Sequence, residues 1–232
     1  MTGRGGRTSA RVVLILLDGD YEDATYHRAR HAEAAVVIAA DGGARFALAH
    51  GLRIDLLVGD LDSLREADVK AAEAAGAVVE RHPVRKDQTD GELALERGLA
   101  ERSAELVFAG AFGGGLDHVL GHLALLRRAA RRGVSARLVS PGLTATAVLA
   151  PQAVRLDAPP GTRVSVVPLE GDARVTLEGL AYRLDRGLLP ADACLGLGNE
   201  VRGAARITVH EGVVGLFVFD GAETFGRPRK VS

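Results

Sequence analysis

The sequence predicts a mixed α/β protein: an N-terminal three-layer α/β unit with a mostly parallel sheet, followed by a C-terminal antiparallel β-sandwich. Three observations predict it. From Arg11 to about Ala150, short aliphatic runs alternate with Ala-rich stretches of helical character. The runs are continuously apolar, as suits parallel strands covered by helices on both faces. From about residue 153 the helical period is gone, and short β-like runs are separated by Gly and Pro. The expected organisation is a disordered Gly/Arg-rich tail over 1–10, an α/β unit over 11–148 and a β-sandwich over 149–232.

The strand candidates of the first unit are VVLILL (12–17), AVVIAA (35–40), DLLVG (55–59), AVVE (77–80), LVFAG (106–110) and ARLVS (136–140). Helices are expected between them near 22–34, 43–50, 64–75, 90–102 and 116–132, where the Ala-rich segments carry charge on one face. In the second unit the β-like runs are RVSVVPL (163–169), ARVTLEG (173–179), ITVHEG (207–212) and VVGLFVF (213–219), with turns marked by APPG and GLLP.

Composition narrows the function. A hydrophobic content of 47% over 232 residues supports a sizeable core, and a formal net charge of -1 gives no reason to expect a polyanionic partner. Only Lys70, Lys86 and Lys230 are lysines; the remaining cations are Arg. There is no Trp and few other aromatics, which is poor material for stacking on nucleobases, so no nucleic-acid partner is expected. The apolar runs are far shorter than the roughly 20 residues that span a bilayer, so no membrane partner is expected either. The VVLILL run ends at Asp18 without a cleavage-like site, so no secretory signal is expected there. Cys194 is the single cysteine, which fits a reducing cytoplasm.

In an open parallel sheet, ligands bind beyond the carboxyl ends of the strands, and here those ends are unusual. VVIAADGGAR finishes on Asp41, followed by Gly42 and Gly43. LLVGDLDS finishes on Asp60 and Asp62. VRKDQTDGE places Asp87 and Asp90 after the run at 77–80, and FAGAFGGGLDH leads through Gly113 and Gly114 to Asp117 and His118. A single Asp after a strand is ordinarily a turn residue or helix cap; four similar strand ends are not. Carboxylates crowded in low dielectric repel one another unless cations neutralise them. An all-oxygen set favours a hard ion such as Mg²⁺ held together with substrate phosphates. The Gly-rich segments offer backbone N–H groups to phosphate oxygens. The combination points to magnesium-dependent transfer of a phosphoryl or pyrophosphoryl group. The Gly-rich loop fits neither the Walker pattern nor G-x-G-x-x-G.

Two histidine pairs at helical spacing, His27/His31 and His118/His122, lack the Glu of H-E-x-x-H and any nearby Cys. The first pair reads as surface histidines and the second as helix-packing or phosphate-facing ones, not as zinc ligands. Arg127, Arg128, Arg131 and Arg132 close a predicted helix, where cations complement the dipole, and read as a solvated face.

The ordered motifs ADGGA, GDLDS, DQTD and GGGLDH, followed by a β-rich tail with GLGNE, resemble the thiamine pyrophosphokinase family from about residue 12 to 220. The resemblance implies a homodimer with its active sites at the dimer interface. It implies transfer of a pyrophosphoryl group from ATP to the hydroxyethyl oxygen of thiamine, giving thiamine diphosphate and AMP. Carried over position by position, Asp60, Asp62 and Asp90 match the family's magnesium and phosphate carboxylates. Asp117 joins them as a catalytic candidate, since either it or Asp90 could orient the acceptor hydroxyl. Asp41, Gly42, Gly43, Arg45, Ser63, Lys86, Asp87, Thr89, Gly113, Gly114 and His118 fall on the ATP side, and Gly198 and Asn199 on the thiamine side. The chain departs from the family pattern at Gly115, where Arg is usual, at Gly198, where Ser is usual, and at Val201, where an aromatic is common. These departures leave room for a pyrophosphokinase acting on another hydroxymethyl compound such as a pterin. A nucleotide-binding regulator without catalysis is a third reading, which the retained carboxylates disfavour.

Overall fold

The computed structural model describes residues 11–85, 87–101 and 105–219, and the backbone of 229–230. The expected tail over 1–10 and Lys86 lie outside the described residues. The first unit reads, in order, β1 (Val12–Leu16), α1 (Ala24–Glu33), β2 (Val36–Ala40), a 3₁₀ turn (Asp41–Gly43), α2 (Ala44–Ala49), β3 (Leu56–Gly59), α3 (Glu66–Ala74), β4 (Val78–Arg81), α4 (Asp90–Ala100), β5 (Glu105–Ala109), α5 (Leu116–Arg131) and β6 (Ser135–Ser140). Every strand and helix expected in this unit is present within a few residues of its expected ends.

The six strands pair in the order β6-β5-β1-β2-β3-β4, all parallel. The side chains of β1 show why both faces must be covered. Val13, Ile15 and Leu17 enter one core with Ala94 and Leu95 of α4 and Leu125, Leu126 and Ala129 of α5. Leu14 and Leu16 enter the opposite core with Ala44 and Ala47 of α2 and Val69 and Ala72 of α3. Strand periodicity thus sends alternate residues of one run to two helix layers. The chain first builds outward from β1 to β4, then crosses back through α4 to lay β5 on the other side of β1. That reversal opens a crevice at the carboxyl ends of β1 and its neighbours.

The second unit comprises β7 (Leu143–Leu149), β8 (Gln152–Leu156), β9 (Arg163–Leu180), β10 (Leu184–Leu189), β11 (Asn199–Phe219) and β12 (Arg229–Lys230). All of its pairings are antiparallel. The sequence reading separated 163–169 from 173–179 and 207–212 from 213–219; each pair is one continuous strand. The breaks seen in the sequence are bends: Gly171 and Gly212 lie in the bend regions, and the β9–β11 register slips repeatedly between Val209 and Val214. Both halves of the two long strands feed a single core, which includes Val164, Val175, Ile207 and Leu216. The strands β7, β8 and β10 escaped the sequence reading because they are short and lie next to turn-rich segments. β7 pairs antiparallel with β6 and with the second half of β11. One hydrogen-bonded sheet therefore runs through both units, across the expected boundary at 148/149.

An aromatic cluster supports the end of β1. The Tyr21 ring stacks on Phe46 at 4.4 Å, and its hydroxyl donates to the Leu17 carbonyl at 2.8 Å. His27, expected at the surface, is buried against Tyr21, Tyr26 and Phe46. The apolar face of α1 was hard to see because polar residues dominate the helix; tertiary packing put an imidazole inward. Neither ring nitrogen of His27 has a hydrogen-bond partner among the described residues. Burial lowers its pKa, only partly offset by Asp23. The unfolded chain takes up a proton below the ordinary value of about 6.5, while the native state resists it. Stability from this site is therefore present above that value and is lost as pH falls below it. The melting temperature is expected to fall between about pH 6.5 and 5, above the carboxylate range, and His27→Phe should reduce that slope while remaining at least as stable at neutral pH. Thermal melts of both proteins across this range test it; identical slopes would exclude His27 as a source.

Candidate active site

The strand ends meet at a cleft of about 690 Å³. Asp18 follows β1, Asp41 follows β2 and Asp60 follows β3; Asp90 and Thr89 come from the start of α4, and Asp117, His118 and His122 from α5, all lining that cleft. A second cavity of about 730 Å³ on the β-tail is lined by scattered charges such as Glu178, Arg183 and Asp185. The acidic cleft is the candidate site because chemically alike groups converge there.

Backbone shape aims the carboxylates. Asp41 and Leu61 both adopt positive φ, 42° and 63°. This is a region that costs non-Gly residues on the order of 1–2 kcal/mol and persists only where the surroundings enforce it. Leu61 is buried, so Asp60 and Asp62 are turned outward on either side of it. Gly59 has φ 148°, and a Cβ there would lie 2.9 Å from Asp90 Oδ1 and 3.1 Å from the Asp41 Cβ. Glycine is what lets Asp41 and Asp90 close on the same strand end.

The ligand oxygens of Asp41, Asp60 and Asp62 lie within 4.8 Å of one another. The Ser63 hydroxyl donates to Asp41 Oδ2, while Asp41 Oδ1 is buried without a hydrogen-bond partner among the described residues. The Asp62 backbone N–H donates to Asp60 Oδ1 at 3.3 Å. The charge of Asp60 raises the Asp62 pKa, with burial and the charges of Asp41 and Asp90 acting the same way. An orphaned buried carboxylate oxygen beside two further carboxylates fits a hard divalent cation. The compact set contains Asp41 together with Asp60 and Asp62; Asp90 stands beside it, against Gly59.

The other expected residues fall as follows. Gly42 and Gly43 are buried in the 3₁₀ turn. Arg45 binds the Asp18 carboxylate and donates to the Ser63 carbonyl at 3.2 Å. Thr89 is the N-cap of α4, accepting from the Glu92 N–H at 3.2 Å, while the Glu92 carboxylate accepts from the Thr89 N–H at 2.9 Å. Asp87 is exposed and does not line the cleft. Gly113 and Gly114 turn with φ 86° and 64°. At Gly115, a Cβ would come within 2.2 Å of Asp117 Oδ1, so the Asp117 carboxylate takes the space beside the loop. Gly198 and Asn199 do not reach this cleft within one chain. Asn199 is buried; its Oδ1 accepts from the N–H groups of Tyr182 and Glu200, and its Nδ2 donates to the Tyr182 carbonyl at 2.7 Å. Gly198 has φ 66°, where serine would add strain of about 1–2 kcal/mol.

Further charged or ionisable residues line the cleft beyond the expected site set, among them Asp18, Arg128 and His122. Asp18 carries the same signal as the others, an Asp directly after a buried run, and could have been found. Arg128, expected on a solvated face, lines the cleft and pairs with Glu92 at 3.3 Å and Glu96 at 2.8 Å. His122 lines it as well.

The family comparisons converge with this geometry. The thiamin pyrophosphokinase catalytic domain matches residues 28–138, and the thiamin pyrophosphokinase vitamin B1 binding domain matches 153–214. The two stretches together take in well over half of the chain. This chain belongs to the thiamin pyrophosphokinase family. It is 28% identical over 145 residues to the thiamine pyrophosphokinase of Bacillus subtilis (strain 168), an alignment covering 62% of this chain and 67% of that protein. The crystal structure of a thiamine pyrophosphokinase from Bacillus subtilis superposes with a TM-score of 0.79 at 23% identity, covering 91% of this chain and 100% of that one. A Geobacillus thermodenitrificans family member gives 0.76 at 25%, covering 91% and 99%. The Candida albicans thiamin pyrophosphokinase keeps the fold at 13% identity, with a TM-score of 0.77 over 93% of this chain and 95% of that one.

A carboxyl whose pKa is raised by like charges penalises the native state as pH rises through the carboxylate range. Asp62→Asn in metal-free buffer is therefore expected to leave the melting temperature unchanged or to raise it. Millimolar MgCl₂ is expected to raise the melting temperature of the parent chain, and the same substitution should abolish that increase. Equal magnesium-dependent shifts in both proteins would count against this cluster as a cation site.

Proposed function

We propose that this protein transfers the pyrophosphoryl group of ATP to the hydroxyethyl oxygen of thiamine, releasing AMP. The observation that carries the reading is the Asp41, Asp60 and Asp62 cluster at the strand ends, inside the region matched by the family's catalytic domain. The match of 153–214 to a vitamin B1 binding domain favours thiamine over a pterin acceptor and over a regulator without catalysis.

In this reading Asp41, Asp60 and Asp62 hold Mg²⁺, with Asp90 adding charge beside them. An ion held there would supply charge neutralisation to the transferring phosphates, the usual requirement of phosphoryl transfer. The protein's own share is positioning. The Gly113–Gly114 turn and the N–H groups at the start of α5 offer donors to phosphate oxygens. Arg45, Arg128 and His118 are cationic or ionisable groups at or beside the cleft. The acceptor hydroxyl attacks the β-phosphorus in line; that O–P bond forms as the bond to the α,β-bridging oxygen breaks, and its electrons leave with AMP.

We further infer a homodimer whose acceptor pocket is completed by a second copy. Gly198 and Asn199 stand away from the acidic cleft of their own chain. Exposed Tyr182, Leu195 and Leu197 surround them, and Leu116 and Leu120 lie exposed beside the cleft on α5. These are apolar surfaces that a partner would cover. A reducing, ATP-supplied cytoplasm is the setting that suits the reaction and the free Cys194.

Incubation with ATP, MgCl₂ and thiamine is expected to give AMP and thiamine diphosphate in equal amounts. Product formed only with a pterin alcohol would move the assignment to that acceptor. Asp60→Asn and Asp62→Asn should each reduce kcat by at least about 10²-fold, and the double variant little further, because the two act as a unit. Sedimentation is expected to show a dimer at micromolar concentration; a monomer with dilution-independent specific activity would contradict the shared pocket.

A further inference from the structure

The transfer needs an acceptor for the hydroxyl proton, and the carboxylates nearest the strand ends are committed to the cation cluster. We propose that His122 is the general base that takes this proton, an inference that rests on the pyrophosphoryl-transfer reading above. His122 lies on α5, one turn after His118, and lines the acidic cleft. Its Nδ1 is 2.7 Å from the Ala111 carbonyl oxygen. A carbonyl can only accept, so Nδ1 carries the proton and Nε2 carries the lone pair. The ring's hydrogen bond is made through Nδ1, which leaves Nε2 as the nitrogen available to a substrate.

The surroundings keep the ring neutral. Burial lowers the His122 pKa, the Ala111 hydrogen bond opposes that shift, and the charge of His118 reinforces it. A neutral imidazole with its lone pair fixed on one nitrogen is the form a base requires. The arrangement repeats the logic of a base oriented by a third group, with the Ala111 carbonyl as orienter. The alternatives are Asp90, held against Gly59 beside the cation cluster, and Asp117, which is exposed at the start of α5. In the balanced step, the hydroxyl proton passes to His122 Nε2 as the oxygen bonds to the β-phosphorus, and AMP departs with the electrons of the broken P–O bond. The imidazolium then returns its proton to solvent.

Other ionisable groups face the same cleft: Asp18 beyond β1, Asp41 and Asp60 beyond β2 and β3, Asp90 and Glu92 on α4, and His118 and Arg128 on α5. A pH profile alone would not separate them, so the test uses His122→Asn. The Asn amide retains a donor for the Ala111 carbonyl and loses the acceptor at Nε2. With ATP, Mg²⁺ and thiamine, this variant should fold and keep the KM for ATP within a few-fold. Its kcat should drop about 10²- to 10⁴-fold, and the acidic limb of the parent's kcat/KM profile should disappear. In the parent chain, nitrogen NMR of labelled histidine should show the Nδ1–H tautomer at His122, titrating with that limb.

A parent that turns over, beside a His122→Asn variant that keeps more than about a tenth of its kcat with the acidic limb intact, overturns the proposal alone. So does loss of the limb in Asp117→Asn and not in His122→Asn. No AMP from the parent overturns the functional reading, and this proposal with it. Should His122→Asn fail to fold, the parent's spectrum decides: an Nε2–H tautomer, or a titration unrelated to the limb, rejects His122 as the base.

Discussion

Mutual repulsion of carboxylates is the constraint around which this molecule is arranged. Asp41, Asp60 and Asp62 present oxygens within 4.8 Å of one another, and Asp90 stands close enough for its charge to act on Asp62. Left to itself, a chain would separate such groups. The fold overrides the repulsion by placing Asp41 after β2, Asp60 and Asp62 after β3 and Asp90 at the start of α4, so that drawing these elements apart would mean unpairing a parallel sheet buried on both faces. The backbone carries part of the load: Asp41 and Leu61 sit at positive φ, and Gly59 provides a conformation and a clearance that a side chain would remove.

The support behind the cluster is apolar and ordinary. Tyr21 and Phe46 stack beneath the end of β1, where Asp18 binds Arg45, and Arg45 in turn reaches the carbonyl of Ser63. Ser63 holds one oxygen of Asp41, and the other has no hydrogen-bond partner among the described residues. The network positions charge without neutralising it, which is the condition for binding a cation and a polyphosphate instead of a structural ion pair.

The β-rich tail is tied to this centre through the sheet. β7 joins β6 on one side and β11 on the other, so the long bent strands of the tail extend the same hydrogen-bonded ladder that ends at the cleft. Asn199 braces the tail from inside by closing the backbone of Tyr182. Its neighbours Tyr182, Leu195 and Leu197 face outward. The acidic centre and the surface around Asn199 are separate within one chain.

Much of this was legible in the sequence. The six continuous apolar runs fixed the parallel sheet, because a strand buried on both faces tolerates no polar alternation. The Asp residues after those runs marked the cleft, because strand ends in such a sheet converge on one edge. Tertiary structure decided what depends on packing between distant segments. It joined the runs at 163–169 and 173–179 into one bent strand, since a bend and a break look alike along a chain. It buried His27, turned Arg128 toward the cleft and fixed the tautomer of His122 through the carbonyl of Ala111, eleven residues away. It also drew Asp41 into the closest set of carboxylates and left Asp90 beside it. Sequence records which side chains are available at each strand end; the distances among them follow from how neighbouring strands stagger and twist, which no single segment encodes.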